Sequence, residues 1–126
     1  MSKYQEQLNQ LQEATQRLVE VLGVEKTSIT RDSAIQRFEF CMDLTWKTLK
    51  TYLEEIHGVI VKSPKETLRA AYQQGLLEFD KSWIEYVDLR NETVHTYNEL
   101  LAEKTYETLP GFLKLLQTLN AKLASR

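Results

Sequence analysis

Arg90, Asn91, His95 and Tyr97 stand close together in one run, Trp-Ile-Glu-Tyr-Val-Asp-Leu-Arg-Asn-Glu-Thr-Val-His-Thr-Tyr, residues 83–97. An arginine guanidinium keeps its charge at any working pH and forks onto phosphate oxygens, and a neutral imidazole takes a proton near pH 7. RNA carries its own nucleophile in the 2′-hydroxyl. A base to deprotonate it and a cation to hold the developing charge therefore suffice for phosphodiester chemistry without a metal. The same residues have a plainer reading. An arginine on an apolar stripe is commonly a snorkelling or salt-bridged structural residue, and a histidine near a helix end is commonly a surface group. Spacing alone names no reaction.

The element that must position them reads as a helix. The run has no Gly or Pro and follows Asp80 and Ser82, both N-cap types. At about 100° per residue, Trp83, Tyr86, Val87, Val94 and Tyr97 share one stripe, which should face the core, with Arg90 in its middle. Burying that charge alone costs several kcal/mol, so Arg90 needs an anion or an opening to solvent. Glu39 is the expected counter-ion. Tyr97 returns to the side of Arg90 two turns on, while His95 lies roughly 140° round, on a strip with Asp88, Asn91 and Glu92. One copy of the helix does not easily bring Arg90 and His95 together.

Other chemistries find little support. There is no Gly-rich phosphate loop and no nucleophile-bearing turn. Glu39 and Asp43 are spaced i, i+4, as metal carboxylates can be, but no Glu-x-x-His accompanies them, so neither a metal nor another cofactor is expected. The single Cys41 rules out an internal disulfide and falls on an apolar helical face, where it reads as a small buried hydrophobe. His57, beside Gly58, suits the C-terminal end of a helix dipole.

Four more helical segments follow from periodicity and punctuation. The first runs from Lys3 to Leu22, with Tyr4, Leu8, Leu11, Thr15, Leu18 and Leu22 as a narrow seam, and Gly23 ends it. Val24 to Thr30 reads as a polar connector. The second, about Arg31 to His57, carries Ala34, Ile35, Phe38, Met42, Leu49, Tyr52, Leu53 and Ile56 on one stripe, with Phe40 and Leu44 nearly opposite. A helix apolar on two sides is either central or covered by another subunit, and so few helices favour a dimer contact. Val59 to Lys62 is an extended link. Ser63-Pro64 then opens a short third helix that stops at Gly75. The last runs from Glu99 to about Ala124 with Leu101, Thr105, Leu109, Phe112, Leu116, Leu119 and Leu123 facing inward. Pro110-Gly111 predicts a kink or a two-piece helix, since a mid-helix proline costs roughly 3 kcal/mol. The expected fold is all-α: an up-and-down four-helix bundle with one short extra helix and a kinked last helix.

At 126 residues there is room for one domain, 1–126, with an ordinary soluble balance of 42% hydrophobic and 27% charged residues. A net charge of −2 argues against coating DNA through its phosphates but leaves room for a small RNA site. With no apolar run of membrane-spanning length and no leader pattern in Met-Ser-Lys-Tyr-Gln-Glu-Gln, a cytoplasmic protein is expected.

Arg90-Asn91-Glu92-Thr93-Val94-His95-Thr96-Tyr97 resembles the motif of the HEPN superfamily, as carried by HepT-like proteins and by the nucleotidyltransferase substrate-binding protein family. Arg37-Phe38-Glu39-Phe40, Leu44-Thr45-Trp46-Lys47-Thr48-Leu49-Lys50, Ser63-Pro64, Ala70-Ala71, Gly75-Leu76 and Trp83 resemble the substrate-binding branch in the same order, from about Arg31 to Tyr97. The resemblance implies a helical bundle that forms a homodimer with a composite cleft between two copies of the motif helix. It also implies a separate MntA-type nucleotidyltransferase as partner. Three readings follow from it. In the first, the protein is a metal-independent endoribonuclease toxin with Arg90 and His95 catalytic. Asn91 then orients the phosphate or the imidazole, and the partner silences the toxin by adenylylating Tyr97. In the second, it is a non-catalytic subunit that presents a substrate, or itself, to the nucleotidyltransferase. A structural dimer with a decayed site is the third.

Overall fold

The computed structural model describes residues 2–78 and 80–126, with Asp80 described by its backbone alone. All regular structure among them is helical: α1 (Lys3–Leu22), α2 (Ser28–His57), α3 (Pro64–Gln73), α4 (Asp80–His95) and α5 (Glu99–Ala124). α1, α2 and α5 pack mutually, while α3 and α4 pack against each other and against α2. α2 therefore touches all four other helices and is the axis of the bundle.

That position answers the two-sided pattern of α2. The neighbours come from the same chain, and they bury Cys41, Thr45 and Thr48 as well as the expected Ala34, Phe38, Met42, Leu49, Tyr52 and Leu53. A buried hydroxyl needs a partner. Thr45 and Thr48 donate to the carbonyls one turn back, Cys41 O and Leu44 O, both at 2.6 Å. Leu44 is half-buried against the core, whereas Phe40 keeps 55% of its surface exposed, and Ile56, expected inside, is also exposed.

Helix ends follow from caps, and some of them differ from the expected bounds. α2 begins three residues before Arg31 because Thr27 and Thr30 form a capping box. Thr27 Oγ1 accepts the Thr30 N–H at 3.1 Å, and Thr30 Oγ1 accepts the Thr27 N–H at 2.7 Å. Threonine replaces the usual Glu or Gln at the third position, so the signal was muted. Gly58 ends α2 at φ 65°, a left-handed turn suited to glycine. In α1 the seam closes on Val21 rather than Leu22, both being about equally near the stripe that passes through Leu18. α3 has the expected Ser63 cap, whose Oγ accepts the Glu66 N–H at 3.3 Å, with Pro64 as its first residue.

α4 already includes Asp80, which places Ser82 inside the helix rather than at its cap; the side chain of Asp80 lies outside the described residues. Trp83 and Val87 are buried, and Trp83, Tyr86 and Phe38 all meet the ring of Phe112 edge-on at centroid distances of 5.8, 5.1 and 4.8 Å. This aromatic knot ties α4 to α2 and α5. The Tyr86 hydroxyl donates to Thr108 O at 3.0 Å. It needs the space that Gly111 leaves, because a Cβ there would stand 3.2 Å from the Tyr86 oxygen.

α5 runs as one helix through Pro110, so the chain is not divided there into two pieces. The seven inward positions expected from spacing are all buried. Asn98 starts α5 by accepting the Leu101 N–H on its side chain at 2.7 Å. With α4 ending at His95, Thr96 and Tyr97 form the link between the two helices. The apolar stripe of α4 consequently stops short, and both Val94 and Tyr97 are exposed.

Candidate functional site

Arg90 lies in the second half of α4, opposite α2. Its Nη2 donates to Asp43 Oδ1 at 3.0 Å and its Nη1 to Asn91 Oδ1 at 3.2 Å. Nε is buried without a partner among the described residues. The counter-ion is thus Asp43 and not Glu39. The register of α2 against α4 sets Asp43 opposite Arg90 and Glu39 opposite Thr93, whose hydroxyl donates to Glu39 Oε2 at 2.7 Å. Arg90 and Asn91 line a cavity of about 180 Å³ together with Asp43, Trp46, Pro64 and Val87.

His95 is the last residue of α4 and is exposed, with no side-chain hydrogen bond among the described residues. It lies outside the Arg90 cavity. Within one chain the structure therefore brings Arg90 and Asn91 together and leaves His95 apart, as their angular separation on the helix requires.

Tyr97 corrects the sequence reading. It does not return to the side of Arg90, because it has left the helix. It is 73% exposed on the α4–α5 link, with its hydroxyl 3.4 Å from Asp32 Oδ2 and 3.3 Å from Glu99 Oε1. Those two carboxylates, Asp32 first, raise its phenol above the ordinary tyrosine range by disfavouring a second negative charge. Tyr97 borders a second cleft of about 270 Å³, shared with Asp32, Ile35, Glu39, Thr93 and Leu101. Its charged walls are carboxylates alone.

The cation that organises this end is Arg31, which sequence reasoning took only for a helix start. Its side chain is 3% exposed. The guanidinium forks onto Glu99, Nη1 to Oε2 at 2.7 Å and Nη2 to Oε1 at 3.1 Å, and also meets Asp32 at 2.9 Å and Glu103 at 3.5 Å. Paired fork to fork, it holds the Glu99 carboxyl below its usual range. Glu99 and Glu103 one turn apart on α5 were the available signal. Only the packing register shows that they meet Arg31.

Among the described residues no cluster of three or more His, Cys, Asp or Glu could hold a metal ion. The spaced pair Glu39 and Asp43 is engaged by Thr93 and Arg90 respectively. Cys41 is buried, and burial pushes its thiol up to about 12. No described helix is long and apolar enough to cross a membrane.

A helical bundle that carries Arg90, Asn91, His95 and Tyr97 where a motif helix runs out into its link is HEPN-like. The chain belongs to the nucleotidyltransferase substrate binding protein like family, which matches residues 1–125. It is similar to the probable ribonuclease HepT of Haemophilus influenzae, with 34% identity over 94 residues. That match takes in 68% of this chain and 64% of the relative, less than two thirds of the relative's length. A crystal structure from Thermus thermophilus superimposes with a TM-score of 0.84 at 38% identity, over 90% of this chain and 98% of the other. A Haemophilus influenzae structure, described as having the fold of a substrate binding domain of a nucleotidyltransferase, gives 0.76 at 26% identity, over 93% and 98%.

Proposed function

We propose that this chain is the partner of a separate minimal nucleotidyltransferase, of the MntA type, and works as a HepT-like, metal-independent endoribonuclease toxin whose cutting site is completed in a homodimer. The observation that carries this reading is the division of the motif. Arg90 and Asn91 face an open cavity, and His95 stands exposed and uncommitted on the same helix. Apposing two copies of α4 about a two-fold axis sets the arginine of one against the histidine of the other. The names of the relatives, a probable ribonuclease and a nucleotidyltransferase substrate-binding domain, support the two halves of the reading.

In this mechanism the His95 imidazole takes the proton of the 2′-hydroxyl. The oxygen attacks the adjacent phosphorus, and the bond to the 5′-oxygen breaks. The imidazolium returns its proton to that leaving oxygen, so the products are a 2′,3′-cyclic phosphate and a 5′-hydroxyl. Arg90 holds the non-bridging oxygens through Nη1, whose one partner among the described residues is the neutral Asn91 amide, while Nη2 remains on Asp43. Asn91 then orients the phosphate. Tyr97, exposed on its link, is the residue that the partner adenylylates to silence the toxin.

A second reading has its own observation. The Tyr97 cleft has carboxylate walls and no cation among its lining residues, which suits a non-phosphate ligand of a substrate-binding subunit. The deciding experiment incubates the purified protein with a broad RNA pool in chelator. Cleavage leaving cyclic phosphate ends, abolished by His95→Ala with melting unchanged, is expected. An uncut pool would leave the substrate-binding subunit as the better account.

A further inference from the structure

We infer that the cavity beside Arg90 is a nucleobase subsite that selects an amino-bearing base, adenine or cytosine, at the RNA position whose phosphate Arg90 holds. The inference rests on the ribonuclease reading and supplies its substrate preference. Three features of the cavity point to a base.

Size is the first. A cavity of about 180 Å³ suits one flat heterocycle and not a base pair. Single-stranded RNA is the form whose bases are free to be splayed into such a pocket.

The second is the apolar part of the wall. Trp46 lies on it half-exposed, with Met42 and Val87 buried behind and Pro64 at the start of α3 on the rim. An indole on a cavity wall offers a base a stacking surface, and such stacking is tolerant of sequence. Trp46 is not needed for the aromatic knot, which is built from Phe38, Trp83, Tyr86 and Phe112.

Polar atoms are the third, and they set the selectivity. Asp43 has one oxygen on Arg90 and only acceptor capacity to offer from the other. Asn91 has its oxygen on one N–H of Arg90 Nη1, whose second N–H is left for the phosphate, and the two N–H of its own amide are left as donors, one to the phosphate and one to the base. Acceptor beside donor matches an exocyclic amine beside a ring nitrogen, the edge that adenine and cytosine share. Uracil lacks the amine; guanine's Watson–Crick edge sets its amine beside an N1–H donor rather than an acceptor, and its other amine edge, N2 beside N3, is shielded by the ribose. The same two side chains that read the base also touch the guanidinium, so base seating and phosphate seating are coupled.

Trp46 also reports the event. Trp83 is 2% exposed and shielded, so quenching of tryptophan emission by an added base reads Trp46. The four nucleoside 3′-monophosphates, inorganic phosphate and ribose 5-phosphate are titrated into the full chain. 3′-AMP and 3′-CMP are expected to quench at least tenfold more tightly than 3′-UMP and 3′-GMP, with phosphate and ribose 5-phosphate silent. Trp46→Ala should weaken 3′-AMP binding by calorimetry about tenfold or more, the scale of one lost stacking contact. Asp43→Asn, which has nearly the same shape and whose melt verifies folding, should shift the preference toward 3′-UMP. Equal quenching by all four nucleotides, quenching by phosphate alone, or no binding at millimolar concentration overturns the subsite. The two readings fail separately. Base-selective quenching with an uncut RNA pool removes the nuclease and keeps the pocket, whereas RNA cleavage without base preference removes the pocket and keeps the nuclease.

Discussion

Asp43 Oδ1 lies 3.0 Å from Arg90 Nη2, and the pair is only half-withdrawn from water, with 29% of the arginine side chain and 38% of the aspartate side chain exposed. A dry pair broken on one side costs about 3–5 kcal/mol, because a charge is left stranded. Here the surviving Asp43 is hydrated. Arg90→Ala should therefore cost about 1 kcal/mol, the scale of an accessible pair; sulfate or AMP is expected to raise the melting temperature of the wild type and not of this variant. Thermal melts with and without those anions check both statements. A large loss insensitive to anions would mean that Arg90 is structural.

Arg31 makes the opposite case, being enclosed and forked onto Glu99. Glu99 is held below its ordinary 4.5, so the unfolded chain binds this proton first as acid is added. Its contribution is complete above that value and disappears as pH falls through the folded value. Melting temperature should decline below about pH 4.5 in the wild type. Arg31→Ala should flatten this part of the decline, while lowering the melt at neutral pH. Arg17→Ala, which breaks only the exposed 3.5 Å pair with Glu13, is the control and should change neither. Equal effects of the two substitutions would remove Arg31 from its structural role.

The dimer prediction narrows to one residue. Leu44 packs against the core, so an aspartate there would damage the fold itself, whereas Phe40 is 55% exposed. Phe40→Asp should leave the melt of the monomer intact and break the dimer, since a charge in an apolar contact is costly. Sedimentation at micromolar concentration is the measurement. A wild-type monomer there would sink the composite site.

The helices were legible because their signals are local. Gly58, the Ser63-Pro64 pair and the unbroken inward spacing from Leu101 to Leu123 act within one or two turns. Pairings between helices were not. Choosing Asp43 over Glu39 for Arg90 depends on how far α2 slides along α4, and one turn of that slide exchanges the two carboxylates. The place of Tyr97 was lost for a different reason. Periodicity extrapolates a helix past its end, and it was Asn98, by capping α5, that set the limit. Motif residues could thus be picked out from sequence, but whether they meet could not, because His95 and Tyr97 lie where the helix ceases to govern direction.

Tyr97 carries the test of the nucleotidyltransferase partnership. Its ring is exposed on a link, so a partner enzyme can reach the hydroxyl without unfolding any helix. Asp32 and Glu99 raise its phenol, so few phenolates exist near pH 7 and transfer needs a base at the moment of attack. The oxygen would attack the α-phosphorus of ATP and expel pyrophosphate, leaving AMP as a phosphodiester. That new negative charge would stand against Asp32 and Glu99, with the enclosed and already paired Arg31 offsetting it only through space. Incubation with the partner, ATP and magnesium should add one AMP per chain, found by mass spectrometry on the peptide containing Tyr97. Tyr97→Phe, assayed alone first for RNA cleavage, should keep its activity and stay active in the presence of the partner. AMP found on another residue, or a Tyr97→Phe chain still silenced, would detach Tyr97 from this control.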